Sequence, residues 1–230
     1  MEPWIFDEGA HAGPDHLDPA YVAAYDQKAG NDPVDDLVVL RRHGLDHAST
    51  VVDLGAGTGT FTLAVAPHCR RVIAVDVSSA MLDFLRNKIT AAGLSNVESV
   101  QAGFLSYEHA GAPADIIYTR NALHHLPDSW KAIALGRMAR MLRAGGVLRL
   151  RDLIYDFQPA EAEGAITRWF DGAVTDPTVG YTREDLVEHV RTEHSTFRWL
   201  LEPMIDTAGF EIVEADFDRA VYGRYTCIKR

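Results

Sequence analysis

Short runs of apolar residues alternate with amphipathic stretches through most of this chain. The stretches at 50–54 and 71–76 each contain consecutive apolar residues, which is typical of strands buried on both faces of a parallel sheet. Further strands are predicted at 97–101, 114–119 and 147–153. Between the strands, apolar residues recur at the spacing of an amphipathic helix. This alternation predicts right-handed crossovers and a doubly wound α/β sheet.

Capping residues and helix breakers define the expected helix bounds. Helices are predicted at 34–43 before Gly44, at 59–66 before Pro67, from Ser78 or Ser79 to Gly93, and from Asp128 to the Gly145-Gly146 pair. After a further helix at 197–208, strands at 210–217 and 221–228 form a predicted antiparallel hairpin at the sheet edge. The expected fold is a Rossmann-like sheet of seven strands.

An insertion follows the fifth strand. Residues 154–195 contain two short helical patterns and no strand pattern, and we assign the whole insertion to 154–200. It would lie over the carboxyl ends of the strands, where such sheets bind their ligands. We interpret it as a lid over the substrate, with a purely structural insertion as the alternative. The core domain is expected to span 34–230.

Residues 1–33 are irregular in composition and precede the domain. A short helix is predicted to begin at Asp18-Pro19 and to include Tyr21 and Tyr25. The segment is interpreted either as a surface arm or as a flap that closes over a nucleotide site. In the second interpretation Tyr21, Tyr25 or Lys28 would reach that site.

Charge and cysteine content narrow the class of protein. The net charge of −11 disfavours a nucleic-acid partner, because an acidic surface repels phosphates. The two cysteines, Cys69 and Cys227, are far apart, so we expect neither a disulfide framework nor a metal site. Acidic residues interrupt any early apolar run, and no stretch approaches the length of a membrane span. These features predict a soluble cytoplasmic protein without a membrane partner.

The first motif that indicates a binding function is Asp53-Leu54-Gly55-Ala56-Gly57-Thr58-Gly59, between the first strand and the next helix. Alternating glycines let the backbone turn sharply and approach a ligand closely. Asp76 ends the second strand, 21 residues beyond Gly55, where a carboxylate can accept both hydroxyls of an adenosine ribose. The pattern therefore predicts a nucleotide-binding site.

Together with two later motifs, this site resembles that of class I S-adenosylmethionine-dependent methyltransferases. The motifs are 53–59, 73–78, Asn121-Ala122-Leu123-His124-His125-Leu126 after the fourth strand, and 142–148 before the fifth. The resemblance covers residues 34–153 and the closing hairpin. It implies S-adenosylmethionine as cofactor and methyl transfer as the reaction.

The resemblance also implies roles for individual residues. The methionine end of the cofactor would be held by Asp53, Gly55, Ala56 and Gly57, and the ribose by Asp76. The adenine would lie against Val77, Gly103 and Phe104. Asn121 and Tyr25 would complete the site. The family often has an aspartate after the third strand that binds the adenine amino group. This chain has Ala102-Gly103-Phe104-Leu105 there, so backbone groups must make that contact or it is absent.

The acceptor side of the reaction is less clearly indicated. A base that removes a proton would assist an oxygen acceptor, and His124 and His125 are the candidates, although either can instead be structural. The sequence lacks the Asn/Asp-Pro-Pro-Tyr signature of enzymes that methylate nucleic-acid bases, which favours a small-molecule acceptor. A nicotinamide-dependent oxidoreductase and a catalytically silent cofactor-binding subunit are the alternatives. The oligomeric state is left open, with a homodimer as one option.

Overall fold

The alternation of strands and helices is present in the computed structural model, which describes residues 3–11, 22, 28 and 32–230. The strands are β1 (Thr50–Leu54), β2 (Arg71–Asp76), β3 (Val97–Gln101), β4 (Ala114–Arg120), β5 (Leu142–Tyr155), β6 (Thr196–Phe197), β7 (Phe210–Asp218) and β8 (Tyr222–Lys229). The helices are α1 (Val34–Arg42), α2 (Thr60–Val65), α3 (Ser79–Ala91), α4 (Asp128–Met141), α5 (Ala162–Asp171), α6 (Arg183–Thr192) and α7 (Arg198–Thr207).

The strands form a sheet in the order β3-β2-β1-β4-β5-β8-β7. The first five strands in this order, from β3 to β5, pair in parallel with one another. The strand β8 runs antiparallel to both β5 and β7. The short strand β6 pairs in parallel with the end of β5. The predicted Rossmann-like sheet with a closing antiparallel hairpin is therefore confirmed, and β6 is an addition from the insertion.

Both faces of the sheet are covered by helices, which explains the continuous apolar runs. Adjacent residues of β1 face opposite sides: Val52 packs in the cluster that contains α4 and α7, and Val51 in the cluster that contains α1 and α2. Both valines are fully buried. A strand in this position has no solvent-facing side, so its side chains are buried on both faces, as all five of β1 are.

The Gly145-Gly146 pair was expected to end α4, and this prediction is wrong. The helix ends at Met141, and β5 begins at Leu142, which pairs with Ala114 of β4. The glycines lie within the strand, next to a shift in the β4–β5 register. A side chain at Gly146 would come within 2.9 Å of the Arg143 carbonyl oxygen, so the crowded backbone requires a glycine there.

The insertion packs through a small apolar core of its own. Trp169 of α5 is 2% exposed, and its indole N–H donates to the Tyr222 hydroxyl at 3.0 Å. Leu186 of α6 and Tyr155 at the end of β5 belong to the same cluster. The insertion is thereby attached to the carboxyl end of β5, beside the edge of the sheet where ligands bind.

The N-terminal region contributes only in part to the described structure. The predicted helix with Tyr21 and Tyr25 lies outside the described residues. Lys28, a candidate for contact with the nucleotide, instead pairs with Asp185 of α6 at 3.1 Å. Of the described residues in this region, Phe6 and Glu8 line the larger of the two cavities described below. Among the helices described, not one has both the length and the apolar character needed to cross a membrane.

Candidate active site

The loop between β1 and α2 has the tight backbone that its glycines predict. Gly55, Gly57 and Gly59 have φ angles of 74°, 54° and 84°, in the left-handed region that favours glycine. A side chain at Gly55 would lie 2.4 Å from the Cβ of Ala122, so the loops after β1 and β4 touch at this point. At Gly57 the same position is open space. The loop therefore presents bare backbone to its surroundings at Gly57.

Two cavities meet at this loop. The larger encloses about 710 Å³ and the smaller about 430 Å³. Gly55, Gly57 and Arg120 line both of them. Arg120 ends β4 and places a cation where the two cavities adjoin, a role that the sequence did not suggest.

The structure brings most of the predicted site residues to these cavities. The larger cavity is lined by Gly55, Gly57, Asp76, Val77, Gly103, Phe104, Asn121 and His125, and the smaller by Asp53, Gly55, Ala56 and Gly57. Tyr25 lies outside the described residues. His124 is buried and hydrogen-bonded to Asp152. Asn121 has a φ of 50°, a conformation that asparagine tolerates better than most residues.

Asp76 holds the glycine loop against the end of β2. Its Oδ2 accepts the Gly57 N–H and its Oδ1 accepts the Ser78 N–H, both at 2.8 Å. Burial raises the pKa of this carboxyl group despite the hydrogen bonds that lower it. A carboxylate has about four lone-pair sites, so these contacts leave acceptor capacity for hydroxyl donors in the cavity.

Asp53 lies at the smaller cavity and is 2% exposed. The Thr62 hydroxyl donates to its Oδ2 at 2.6 Å. Burial, together with the charge of Asp76, raises the pKa of Asp53 to about 7, and the hydrogen bonds from Thr62 offset this only in part. Asp53 therefore changes charge near neutral pH.

His124 forms a buried pair with Asp152 of β5. Its Nδ1 lies 2.6 Å from Asp152 Oδ1, while Asp152 Oδ2 accepts the Leu123 N–H at 2.8 Å. Burial opposes the charge on both groups, but their mutual attraction prevails, so the pKa of His124 is raised and that of Asp152 lowered. The pair fixes the backbone of the loop after β4.

His125 faces the larger cavity and pairs with Glu193, which follows α6. Its Nδ1 lies 2.8 Å from Glu193 Oε2. Burial would raise the pKa of Glu193, but the hydrogen bond from His125 and its charge lower it, so the side chain is a carboxylate. Since a carboxylate only accepts hydrogen bonds, the Nδ1 of His125 carries a proton, and Nε2 is the ring nitrogen outside this pair.

The insertion also contacts this loop through other residues. The His194 N–H donates to the His124 carbonyl oxygen at 2.9 Å, and the His189 ring lies 4.9 Å from the His124 ring. Burial and the nearby His124 lower the pKa of His189 to about 4, so His189 is neutral at pH 7. Residues of the insertion thus pack directly against the candidate catalytic histidines.

Sequence reasoning missed Asp152, Glu193, Arg120 and Glu8. Asp152 left one signal, since it is an acidic residue inside a predicted strand of the buried sheet. Glu193 and Glu8 left no signal, because each reaches the site from a segment distant in sequence.

Among the described residues, His124, His125 and Glu193 have potential metal-ligating atoms within 4.8 Å of one another. The absence of a metal was predicted from the cysteine count. It stays a prediction, because a cysteine count does not address a site of two histidines and a glutamate. Metal dependence is accordingly a control in the experiments below.

Comparison with known proteins agrees with this geometry. Residues 51–146 match the family described as "Methyltransferase domain". An uncharacterised methyltransferase of Anoxybacillus flavithermus is 26% identical over 174 residues, covering 76% of this chain and 75% of that protein. A trans-aconitate 2-methyltransferase of Azoarcus sp. is 38% identical over 115 residues, covering 49% of this chain and 42% of that protein.

Among solved structures, a SAM-dependent methyltransferase from Aquifex aeolicus aligns with a TM-score of 0.63 at 18% identity, covering 93% of this chain and 99% of that one. The fold, the glycine loop and the sequence relatives together support a class I S-adenosylmethionine-dependent methyltransferase. Residues 51–146 match the methyltransferase domain, and S-adenosylmethionine is the cofactor. These findings do not favour a nicotinamide-dependent oxidoreductase.

The site suits this cofactor in its chemistry. It combines the Asp76 carboxylate, the bare backbone at Gly57 and the apolar side chains of Val77 and Phe104. These are suitable partners for ribose hydroxyls, polar groups and an aromatic base respectively.

Proposed function

We propose that this enzyme methylates a small molecule whose nucleophilic group, such as a hydroxyl, gives up a proton to His125. The observation that supports the proposal is the position of His125 in the cavity wall, with its ring oriented by Glu193. A histidine in a cavity wall whose ring is oriented by a carboxylate has the arrangement of a general base.

In this proposal the predicted residues divide the cofactor between the two cavities. Asp76 accepts the ribose hydroxyls, and Val77, Gly103 and Phe104 surround the adenine in the larger cavity. Asp53, Gly55, Ala56 and Gly57 hold the methionine end at the smaller cavity, where Arg120 offers a cation for the carboxylate. Asn121 completes the wall between the two ends.

The chemistry required of the protein is modest. When bound, S-adenosylmethionine supplies a methyl group already activated on a sulfonium sulfur, so the protein mainly aligns the acceptor. His125 Nε2 takes the proton of the acceptor, and the Glu193 carboxylate stabilises the resulting imidazolium through Nδ1. Asp152 and His124 keep the loop after β4 in place beneath His125.

Charge and architecture support a small-molecule acceptor. The net charge of −11 opposes binding of nucleic acid, and the insertion packs against the loop that carries His125. The Azoarcus relative is named for a small acceptor, trans-aconitate, although this chain covers only 42% of it.

Replacing His125 with alanine should reduce kcat by about tenfold to a hundredfold, because the proton must then pass to water. The dissociation constant of S-adenosylmethionine should change less than about threefold. The measurement is formation of S-adenosylhomocysteine with a panel of small hydroxyl, carboxyl and amino compounds. The exposed His47→Ala variant is the matched control.

Two results would contradict this proposal. Full activity of the His125→Ala variant on its best acceptor would exclude the proton transfer, and failure of the wild type with every small molecule would favour the silent subunit. Assays with a chelator and with added divalent metal test the His124, His125 and Glu193 cluster. Loss of wild-type activity in chelator would indicate that a metal ion, and not His125 as a base, activates the acceptor.

The affinity for S-adenosylmethionine should increase with pH from about 5.5 to 7.5. With a pKa of about 7, Asp53 is largely protonated at the lower end of this range, and the cationic cofactor binds best to its ionised form. Below its pKa, binding therefore releases a proton, and the dissociation constant falls by up to about tenfold per pH unit. Calorimetry across this range measures the slope. An Asp53→Asn variant should bind more weakly and with a flatter profile, and an equal slope in both proteins would exclude Asp53 as the titrating group.

A further inference from the structure

Glu8 places a buried carboxylate in the wall of the larger cavity. The side chain comes from the segment 3–11, and the residue is 8% exposed. Its Oε2 accepts the Leu105 N–H at 2.9 Å and lies 3.5 Å from the Ser106 hydroxyl oxygen. The N-terminal segment is thus anchored to the loop after β3 by an acidic group that also borders the cofactor cavity.

The carboxylate rests directly on Gly103. A Cβ at Gly103 would lie 2.4 Å from both Cδ and Oε1 of Glu8, closer than real contacts of this kind. The φ of Gly103 is outside the left-handed region, so the backbone itself would accept a side chain. A side chain at residue 103 would therefore displace the Glu8 carboxylate, which fills the space that the glycine leaves.

The position of the adenine follows from the sheet. Asp76 is paired with Gln101 across β2 and β3, and the Ala102 N–H donates to the Asp76 carbonyl oxygen at 3.0 Å. The residues after both strands therefore lie side by side along the cavity. A base attached to a ribose on Asp76 would lie between Val77 and the segment 102–104, with Glu8 at its edge.

The contacts of Glu8 leave room for another donor. A carboxylate has about four lone-pair sites, more than its contacts with Phe104, Leu105 and Ser106 use. Burial raises the pKa of Glu8, and backbone N–H groups and Arg137 act in the opposite direction. An additional N–H donor at the cavity side would favour the ionised carboxylate further.

We propose that Glu8 is the hydrogen-bond acceptor for the 6-amino group of the cofactor adenine, in place of an acidic side chain at position 103. The inference rests on the placement of the ribose at Asp76 in the proposed function. It makes the segment 3–11 part of the cofactor site and a determinant of specificity for adenine over hypoxanthine, whose 6-oxo group would face the carboxylate.

The test compares binding of S-adenosylhomocysteine with binding of S-inosylhomocysteine, which carries hypoxanthine, by calorimetry on the full chain. The wild type should prefer the adenine compound by about tenfold to a hundredfold, the value of a hydrogen bond to a charged group. In Glu8→Ala the preference should fall to within about twofold. Glu8→Gln retains the size of the side chain and should reduce the preference for the adenine compound by at least about threefold. It takes the place of the alanine variant in this test if that variant does not fold.

A second pair of variants tests the exchange of positions. Gly103→Asp alone should bind S-adenosylhomocysteine poorly, because the new side chain collides with the Glu8 carboxylate and repels it. Combining Gly103→Asp with Glu8→Ala should restore both binding and the preference for adenine. This rescue would not be expected if Glu8 only anchored the N-terminal segment.

The outcomes separate this inference from the proposed function. An unchanged preference in Glu8→Ala or Glu8→Gln, or tighter binding of S-adenosylhomocysteine by Glu8→Ala, would overturn the role of Glu8 while leaving the cofactor site in place. A wild type that binds neither compound would contradict the placement of the cofactor itself. The measurement uses no acceptor, so failure of the His125 chemistry cannot affect it.

Discussion

Asp76→Ala should weaken the binding of S-adenosylmethionine by roughly 10²- to 10⁴-fold. The proposed contacts are two ribose hydroxyls that donate to one carboxylate, and a hydrogen bond to a charged group contributes about 1.5–3 kcal/mol. The carboxylate also positions the glycine loop between β1 and α2, because it accepts the Gly57 N–H at 2.8 Å. Both effects act in the same direction, so this should be the largest loss of affinity from a single substitution.

Calorimetry with S-adenosylmethionine measures this loss, and thermal unfolding establishes that the variant is folded. Asp83→Ala is the matched control, because the Asp83 side chain is 71% exposed on α3 and forms an ion pair with the neighbouring Arg86. The control should bind within about twofold of the wild type, as expected for an exposed side chain. Wild-type affinity in Asp76→Ala would refute the assignment of the ribose site.

Asp36→Ala should lower the free energy of unfolding by about 3–5 kcal/mol, the usual cost of removing one partner from a buried ion pair. Asp36 of α1 is completely buried. Its Oδ1 accepts from Arg149 Nε at 2.9 Å, and its Oδ2 accepts from Arg151 Nη1 at 2.7 Å and from the Tyr118 hydroxyl at 2.9 Å. Alanine would leave the Arg149 guanidinium, which is 7% exposed, without its carboxylate.

Urea-induced unfolding followed by circular dichroism measures this difference. Asp35→Ala is the control from the same turn of α1, because Asp35 is exposed, and it should cost less than about 1 kcal/mol. Asp36→Asn retains the shape and part of the hydrogen bonding, so its stability should lie between those of the wild type and Asp36→Ala. Equal stability of the two alanine variants would mean that the buried pair contributes nothing net.

The Asp36 pair shows which features of a fold a periodic pattern conveys. Arg149 and Arg151 alternate with leucines in β5, which indicates that they share one face of the strand. The pattern does not identify the carboxylate that neutralises them, because Asp36 is 113 residues from Arg149 in sequence. Such partners depend on how α1 packs against the sheet.

The cofactor residues could be predicted because they are contiguous in sequence and obey local rules. The glycines at 55, 57 and 59 need left-handed backbone, and Asp76 ends a buried strand next to them. The Gly145-Gly146 pair obeys no such simple rule, since glycines end helices and also occupy crowded positions in strands. Pairing of Leu142 with Ala114 in the neighbouring strand determined which of the two applied.

By itself, the sequence determined the class of this protein: the order of strands and helices, the glycine loop and the acidic end of β2 are all set by neighbouring residues. Only the tertiary structure decided how the site is completed. Glu8 reaches the loop after β3, Asp152 binds His124 and Glu193 binds His125, each across a long separation in the chain. Local periodicity carries no information about such contacts, because they form only when the sheet, the insertion and the N-terminal segment pack together.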